Sequence, residues 1–420
     1  MKDLAQEAER VILVAIHSSN ESKAIAELEE LVALAEADNL QVVGSLLQSK
    51  KNPDPAFYLG KGKVEELLEL KKDKCASMII FDNELRSSQV RNLSKKLDTR
   101  VIDRTELILD IFESRAKSKQ AKLQVKVACL QYEMSRLRKL WTHFGRIDGS
   151  IGGRGMGETQ LEVDRRRTRS RLYALEKELK TLVKKKAVER QGRSDIFKVA
   201  LVGYTNAGKS TLLNQLSGSD VFVEDLLFAT LDTTTRQVDL GKSHSIILSD
   251  TVGFVRKLPH HLIASFHATL SEVKEADLLL HVVDISSPNY KIHLETVQET
   301  LKSIGVGEKE TILVFNKTDC LDPSQSLAEQ LEEKYSEKAG LVFISAKAGF
   351  GIEELKKEIF SQMKREVVKE TIAVPWANGK ALAFLKAHAQ IISENILEDK
   401  QLFEVKMKSQ ALAKLQHLLK

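Results

Sequence analysis

The chain has 420 residues, 42 % of them apolar and 29 % charged, long enough for roughly two to four domains with real cores and too apolar for a disordered or collagen-like chain. Six prolines and an aromatic content of 5 % favour helix-rich α/β architecture over an all-β sandwich. The formal net charge of +5 hides an asymmetry: residues 113–193 carry 22 Lys and Arg against 9 Asp and Glu, a net of +13, which leaves −8 for all other residues. The near-neutral average therefore excludes no anionic partner.

Cys75, Cys129 and Cys320 are widely spaced and form no CxxC pair, as expected of unpaired thiols in a reducing cytosol. The N-terminus MKDLAQEAER is charged and matches neither a signal nor a transit peptide. No apolar run approaches the ~20 residues of a spanning helix. A cytoplasmic protein without stable membrane insertion is expected.

Residues 11–105 alternate apolar runs with helical patterns: VILVAI, a helix over Ser22 to Ala37, QVVGSLL, a helix from Lys63, ASMIIF, another helix and TRVID. This is the βαβα rhythm of a small parallel sheet. Gly60 and Gly62 in KNPDPAFYLGKGK read as a turn entering a helix, because an isolated GxG is weak evidence for a phosphate site. From Thr105 to Phe144 the pattern predicts one long basic helix, and a second runs from about Thr159 to Arg190. Between them Gly145, Gly149, Gly152, Gly153, Gly155 and Gly157 fall within 13 residues, a density that no helix holds. An antiparallel helical hairpin with a glycine-rich loop over 145–157, carrying Arg146 and Arg154, is the expected form.

A second α/β region begins at Ile196, with strands FKVALVG, SIILSD, DLLLHVVDI, ETILVFNK and LVFISAK. Such near-continuous apolar runs belong to parallel strands buried on both faces. After about Arg365, TIAVPW and QLFEVKMK alternate with two helical stretches, predicting a small C-terminal βαβα module. The expected domains are 1–105, 106–193, 194–366 and 367–420.

The strand FKVALVG leads into GYTNAGKS, Gly203 to Ser210, which matches the G-x-x-x-x-G-K-[ST] phosphate loop and opens a helix. Gly203 and Gly208 free the backbone, so that N–H groups across Tyr204, Thr205, Asn206 and Ala207 can wrap phosphates. Lys209 reaches the β and γ oxygens and the Ser210 hydroxyl ligates magnesium. The positive end of the following helix adds to the anion site.

VFNKTD places Asn316, Lys317, Thr318 and Asp319 at the end of an apolar strand. The Asp319 carboxylate can accept from guanine N1–H and its exocyclic amine, and adenine has neither donor there, so GTP is favoured over ATP. Ser345, Ala346 and Lys347 follow the last strand, where the Ala346 N–H would buttress the base. In DTVGF, Asp250 would hold a magnesium-bound water; beyond Thr251 and Val252, the Gly253 N–H would sense the γ-phosphate. FATLDTTTR brings Phe228, Ala229, Thr230, Leu231 and Asp232 to the same site. Thr230, chosen over Thr233, Thr234 and Thr235, would close the magnesium coordination in the triphosphate state. Lys209, Gly253 and Thr230 are the expected catalytic groups, and all these motifs sit at strand carboxyl ends.

Two residues depart from the common pattern. Phe254 stands where many GTPases carry a water-orienting glutamine, which predicts slow hydrolysis unless another group or a partner completes the site. Asn206 offers a side-chain oxygen either to a potassium ion against the phosphates or to the loop itself.

GYTNAGKS, FATLDTTTR, DTVGFVRKLPHHLIASF and NKTD, preceded by GGRGMGETQLEVDRR, closely resemble the HflX family of translation-factor-related GTPases. The resemblance covers roughly residues 10–365; the C-terminal module resembles the family only in placement. It implies a P-loop GTPase domain, mostly parallel sheet with helices on both faces, preceded by a small α/β domain and the basic hairpin and followed by a small α/β module. It further implies a ribosome-associated GTPase that binds the large ribosomal subunit through its N-terminal region, some members splitting stalled ribosomes under stress. ATP binding beside GTP is also known in the family, and a monomer is expected.

The +13 segment fits ribosomal RNA, since Lys and Arg that neutralise phosphates release counterions. Arg165, Arg166, Arg167, Arg169 and Arg171 cover more than one helical face. A solvated, non-specific basic surface is the other reading. Two further functions stay open at this point: a nucleotide-driven RNA-remodelling enzyme, and a non-catalytic regulator whose GTP or GDP state sets a binding surface.

Overall fold

The computed structural model describes residues 8–17, 21–147, 156–190, 196–218, 226–241, 244–257, 271–321, 331, 335, 340–397 and 400–419. The stretch 148–155, with Gly149, Gly152, Gly153, Gly155 and Arg154 of the glycine-rich segment, lies outside them.

The first unit runs β1 (Arg10–His17), α1 (Glu21–Ala37), β2 (Gln41–Ser49), α2 (Lys61–Lys74), β3 (Met78–Phe81), α3 (Ser87–Leu97) and β4 (Arg100–Asp103). Its sheet is parallel throughout, in the order β2-β1-β3-β4. Successive residues of a strand face opposite sides. Val11 and Leu13 pack with Leu31 and Leu34 of α1, whereas Ile12 and Val14 pack with Leu67 of α2 and Leu93 of α3. The expected βαβα sheet is present, and Gly60 is the residue before α2.

The single helix expected over 105–144 is two helices, α4 (Arg104–Arg115) and α5 (Lys119–Ile147), separated by an extended Ala116. Asp103 caps α4 by accepting from the Glu106 N–H at 3.1 Å. At the break Asp232 takes up the N–H groups of Lys117 and Ser118, and Ser118 Oγ caps α5 by accepting from the Ala121 N–H. α6 (Met156–Arg190) returns beside α5, with Lys119 paired to Glu178 at 2.8 Å. Gly145 and Gly157 lie within the ends of α5 and α6.

The second sheet is built from β5 (Phe197–Gly203), β6 (Thr234–Asp239), β7 (Ser245–Asp250), β8 (Leu278–Asp284), β9 (Thr311–Asn316) and β10 (Gly340–Phe343). Its order is β10-β9-β8-β5-β7-β6, parallel except for the β6 edge, which pairs antiparallel with β7. The helices are α7 (Lys209–Ser217), α8 (Ser271–Glu275), α9 (Tyr290–Ser303) and α10 (Ile352–Glu366). Leu201, Val282 and Val314 meet α7 and α10 on one face, and Ala200, Val202 and Leu279 meet α9 on the other. That second face merges with the core of the first unit through Ile108 and Phe112 of α4 and Val125 of α5.

The C-terminal module is βαββα rather than βαβα: β11 (Val367–Pro375), α11 (Gly379–His388), β12 (Ala389–Ile396), β13 (Lys400–Lys408) and α12 (Ser409–Leu419). Its sheet is antiparallel, in the order β11-β13-β12. The added strand β12 pairs with β13 across a tight turn, where the Leu397 N–H donates to Lys400 O at 2.9 Å.

Candidate functional site

The carboxyl ends of β5, β7 and β9 converge on a cleft of about 470 Å³. At its floor the chain leaves β5 at Gly203 and re-enters helix at Lys209. Gly208 has φ +91°, and a Cβ there would stand 2.2 Å from Asn316 Nδ2, so the loop requires glycine at this point. Lys209 Nζ donates to the carbonyls of Gly203 at 3.1 Å and Tyr204 at 2.7 Å. Burial pushes its ammonium down to about 8, against the opposing pull of Asp250.

Three oxygens gather beside it. Ser210 Oγ lies 2.8 Å from Thr230 Oγ1 and donates to Asp250 Oδ2 at 2.6 Å. Asp250 is buried, its carboxyl pushed above the usual range by desolvation, and its Oδ1 has no hydrogen-bond partner. Two hydroxyls and an orphaned carboxylate oxygen make a hard-oxygen donor set that fits magnesium.

The segment after β7 lies on the phosphate loop as a short bridge: Thr205 N–H donates to Phe254 O at 2.8 Å, and Phe254 N–H to Gly203 O at 3.1 Å. The Phe254 ring is 3 % exposed and belongs to the core, away from the cleft. Gly253 sits against Thr205 and Lys209. Thr251 turns inward and donates to Leu201 O at 2.6 Å, and Val252 packs on the core.

At the far end of the cleft Asn316 joins two loops, donating to Ala207 O and accepting from the Ala346 N–H, both at 2.9 Å. Thr318 donates to Ile344 O at 3.0 Å, and Lys317, with φ +66°, pairs with Asp284 at 2.8 Å. A hydrogen bond from Ser345 holds the Asp319 carboxyl below its ordinary range. Asp319, Ala346 and Lys347 line the cleft together with Thr205, Asn206, Ser210 and Thr230. Cys320 lines it too, and only its place after Asp319 in the sequence could have signalled that.

Several expected site residues face elsewhere. Tyr204 points out of the loop and donates its hydroxyl to Glu30 of α1 at 2.6 Å, Leu231 is buried in the core, and Asp232 faces the start of α5. Asn206, exposed and with φ +60°, stands where the cleft meets a second cavity of about 210 Å³ on the other side of the loop. Glu30, Tyr204, Arg256 and His293 line that cavity. Around it Arg104 pairs with Glu30 and Asp82, each at 2.7 Å, while Lys257 reaches Asp82 and Glu27. Nothing in the sequence flags this network, because its members come from distant segments.

Residues 25–113 match the family profile described as GTP-binding GTPase N-terminal, residues 115–193 the GTP-binding GTPase Middle Region, and residues 198–317 the 50S ribosome-binding GTPase. The chain is 44 % identical over 406 residues to the GTPase HflX of Caldanaerobacter subterraneus subsp. tengcongensis, covering 95 % of this chain and 91 % of that protein. It is 41 % identical over 384 residues to the GTPase HflX of Escherichia coli K12, covering 90 % and 89 %. Among solved structures it is similar to a GTP-binding protein from Sulfolobus solfataricus in complex with GDP, at 26 % identity and a TM-score of 0.44, covering 85 % of this chain and 99 % of that one.

Proposed function

The chain belongs to the HflX family and is a GTP-binding, GTP-hydrolysing enzyme; on that footing we propose that it works on ribosomes, docking on the large subunit in its GTP state and dissociating or rescuing stalled particles under stress. The observation that carries this reading is a long basic arm whose base is held by Asp232, two residues on from Thr230 of the GTP cleft. On α6, Arg166, Arg167, Arg169 and Arg171 are all exposed, and the segment 113–193 that contains the arm carries a net +13 against −8 for all other residues. Such a surface gives strong, salt-dependent attachment to RNA phosphates.

In this reading the backbone from Thr205 to Ser210 wraps the phosphates and Lys209 turns from the loop carbonyls to the β and γ oxygens. Ser210 and Thr230 hold magnesium directly and Asp250 holds it through water. Bound there, magnesium offsets charge that develops on the phosphate oxygens. The Gly253 N–H contacts the γ-phosphate, and Asp319 selects guanine, with Ala346 and Lys347 beside the base. Asn206 is available to a potassium ion at the phosphates. Phe254, buried in the core, does not reach the attacking water, so turnover is slow until a ribosomal partner completes the site. Among the described residues no helix is long and apolar enough to cross a membrane, in keeping with work in the cytoplasm.

The test is sedimentation of the protein with ribosomes and separated subunits, comparing a non-hydrolysable GTP analogue with GDP at two salt concentrations. Co-sedimentation with the large subunit in the analogue state, weakened by salt, is expected, together with stimulated GTP hydrolysis. No association and no stimulation would sink the proposal.

A further inference from the structure

We propose that Ser118, at the base of the basic arm, is a positioning residue for GTP hydrolysis that acts through Asp232 and Thr230; the proposal rests on the magnesium-ligand role given to Thr230 above. The segment 228–232 has two sides. On one, Ala229 and Thr230 line the nucleotide cleft, with Thr230 2.8 Å from Ser210. On the other, Asp232 Oδ2 accepts from the backbone N–H groups of Ser118 at 3.0 Å and Lys117 at 3.2 Å, and Ser118 Oγ donates to Asp232 Oδ1.

Two apolar contacts hold the same side. The Phe228 ring packs edge-on against Phe112 in the last turn of α4, with centroids 4.7 Å apart, and Leu231 is buried in the shared core. Phe228 has φ +56°, a conformation that a phenylalanine keeps only when its surroundings fix it. Ser118 is also the capping residue of α5, since its Oγ accepts from the Ala121 N–H at 3.1 Å. The first turn of the arm is therefore completed by a carboxylate whose chain neighbour, two residues back, belongs to the nucleotide site. Whatever holds Asp232 on α5 narrows the positions open to Thr230, and by reciprocity the state of the nucleotide bears on the arm base.

The test uses the full-length chain with Asp232→Ala, Asp232→Asn, Ser118→Ala and Thr230→Ala. The readouts are kcat and KM for GTP, equilibrium binding of fluorescent GDP and of a non-hydrolysable GTP analogue with magnesium, and thermal unfolding. Asp232→Ala is expected to lower kcat and weaken the analogue roughly five- to thirty-fold, as for a lost helix cap, with GDP affinity within about twofold of the parent, since Thr230 serves the triphosphate state. Ser118→Ala gives the same split at smaller size, because the backbone N–H groups still hold Asp232, and it adds nothing when combined with Asp232→Ala. Asp232→Asn, whose amide oxygen still caps, recovers most of the rate.

Parental kcat and analogue binding in Ser118→Ala and Asp232→Ala, with Thr230→Ala crippled, would overturn the positioning role alone. Equal losses of GTP and GDP binding with a lowered melting temperature would also overturn it, since Asp232 would then merely hold the fold. If Thr230→Ala itself leaves kcat and analogue binding intact, the underlying ligand role has failed. Should Asp232→Ala not fold, Ser118→Ala decides by the same split.

Discussion

The Tyr204 hydroxyl donates to Glu30 at 2.6 Å and ties the phosphate loop to α1 across 174 residues of sequence. The same oxygen accepts from the Arg256 N–H at 2.8 Å, so one buried phenol joins the phosphate loop, the segment after β7 and the N-terminal unit. Burial and the Glu30 charge hold its pKa far above the ordinary value, so it remains a donor. Tyr204→Phe leaves the buried Arg256 N–H without its acceptor, while the same Glu30 oxygen keeps its bond from Arg104 at 2.7 Å. A loss of about 1–3 kcal/mol is expected in denaturant melts, and an unchanged midpoint would show that the bond adds nothing to stability.

Gly253→Ala should separate hydrolysis from nucleotide binding. The new methyl would stand 2.7 Å from Thr205 Cγ2 and 2.8 Å from Thr205 Cα, backbone that is itself fixed by Phe254 O. The segment must lift off the phosphate loop. We expect kcat to fall at least ~10-fold, which is about 1.4 kcal/mol of barrier, with GDP affinity nearly unchanged in a binding titration.

Asp319→Asn tests the reading of the base. The parent carboxylate is ionised at neutral pH, and its hydrogen bond from Ser345 holds its pKa below the ordinary value. An amide replaces one acceptor by a donor and meets the guanine amine donor to donor. GTP and GDP affinity should weaken by roughly 10²- to 10⁴-fold, and nucleotides of xanthine, which carries a carbonyl at that carbon, should lose less or gain. Equal GTP binding by parent and variant in a competition titration would contradict guanine recognition by Asp319.

His293 predicts the shape of the acid limb of stability. Its ring stacks on Tyr204 with centroids 3.9 Å apart, and burial, with Arg256 nearby, pushes the imidazole down to about 4. The unfolded chain takes up that proton near pH 6.5. The contribution is therefore fully present above about 6.5 and drains away as pH falls toward 4. His293→Phe keeps a stacking ring without the titration, and its melting temperature should fall less steeply than that of the parent over this window.

The sequence announces whatever depends on local pattern. β5, β8 and β9 read as strands because both their faces are buried, and the motif residues at their carboxyl ends come with them. β6 did not, since only Val238 of TTRQVD is buried, and β12 did not, since Ile391 to Ile396 are all exposed on an edge strand. The break between α4 and α5 has no glycine or proline to mark it; Ser118 caps α5 there, and the freed N–H groups are taken up by Asp232, 114 residues away from Ser118. Tyr204 and Asp232 sit inside nucleotide motifs yet face outward, and only the placement of Glu30 and Ser118 in space makes that visible.

Ile80 and Ile102 of the first sheet and Val202 and Leu279 of the second belong to one uninterrupted apolar core, with Phe112, Phe228 and Leu231 between them. A cut between the two sheets would leave torn surfaces rather than separate modules. A fragment beginning at β5 would present Phe228 and Leu231 to water and is expected to self-associate, whereas for the intact chain a single endotherm covering both sheets is expected in calorimetry.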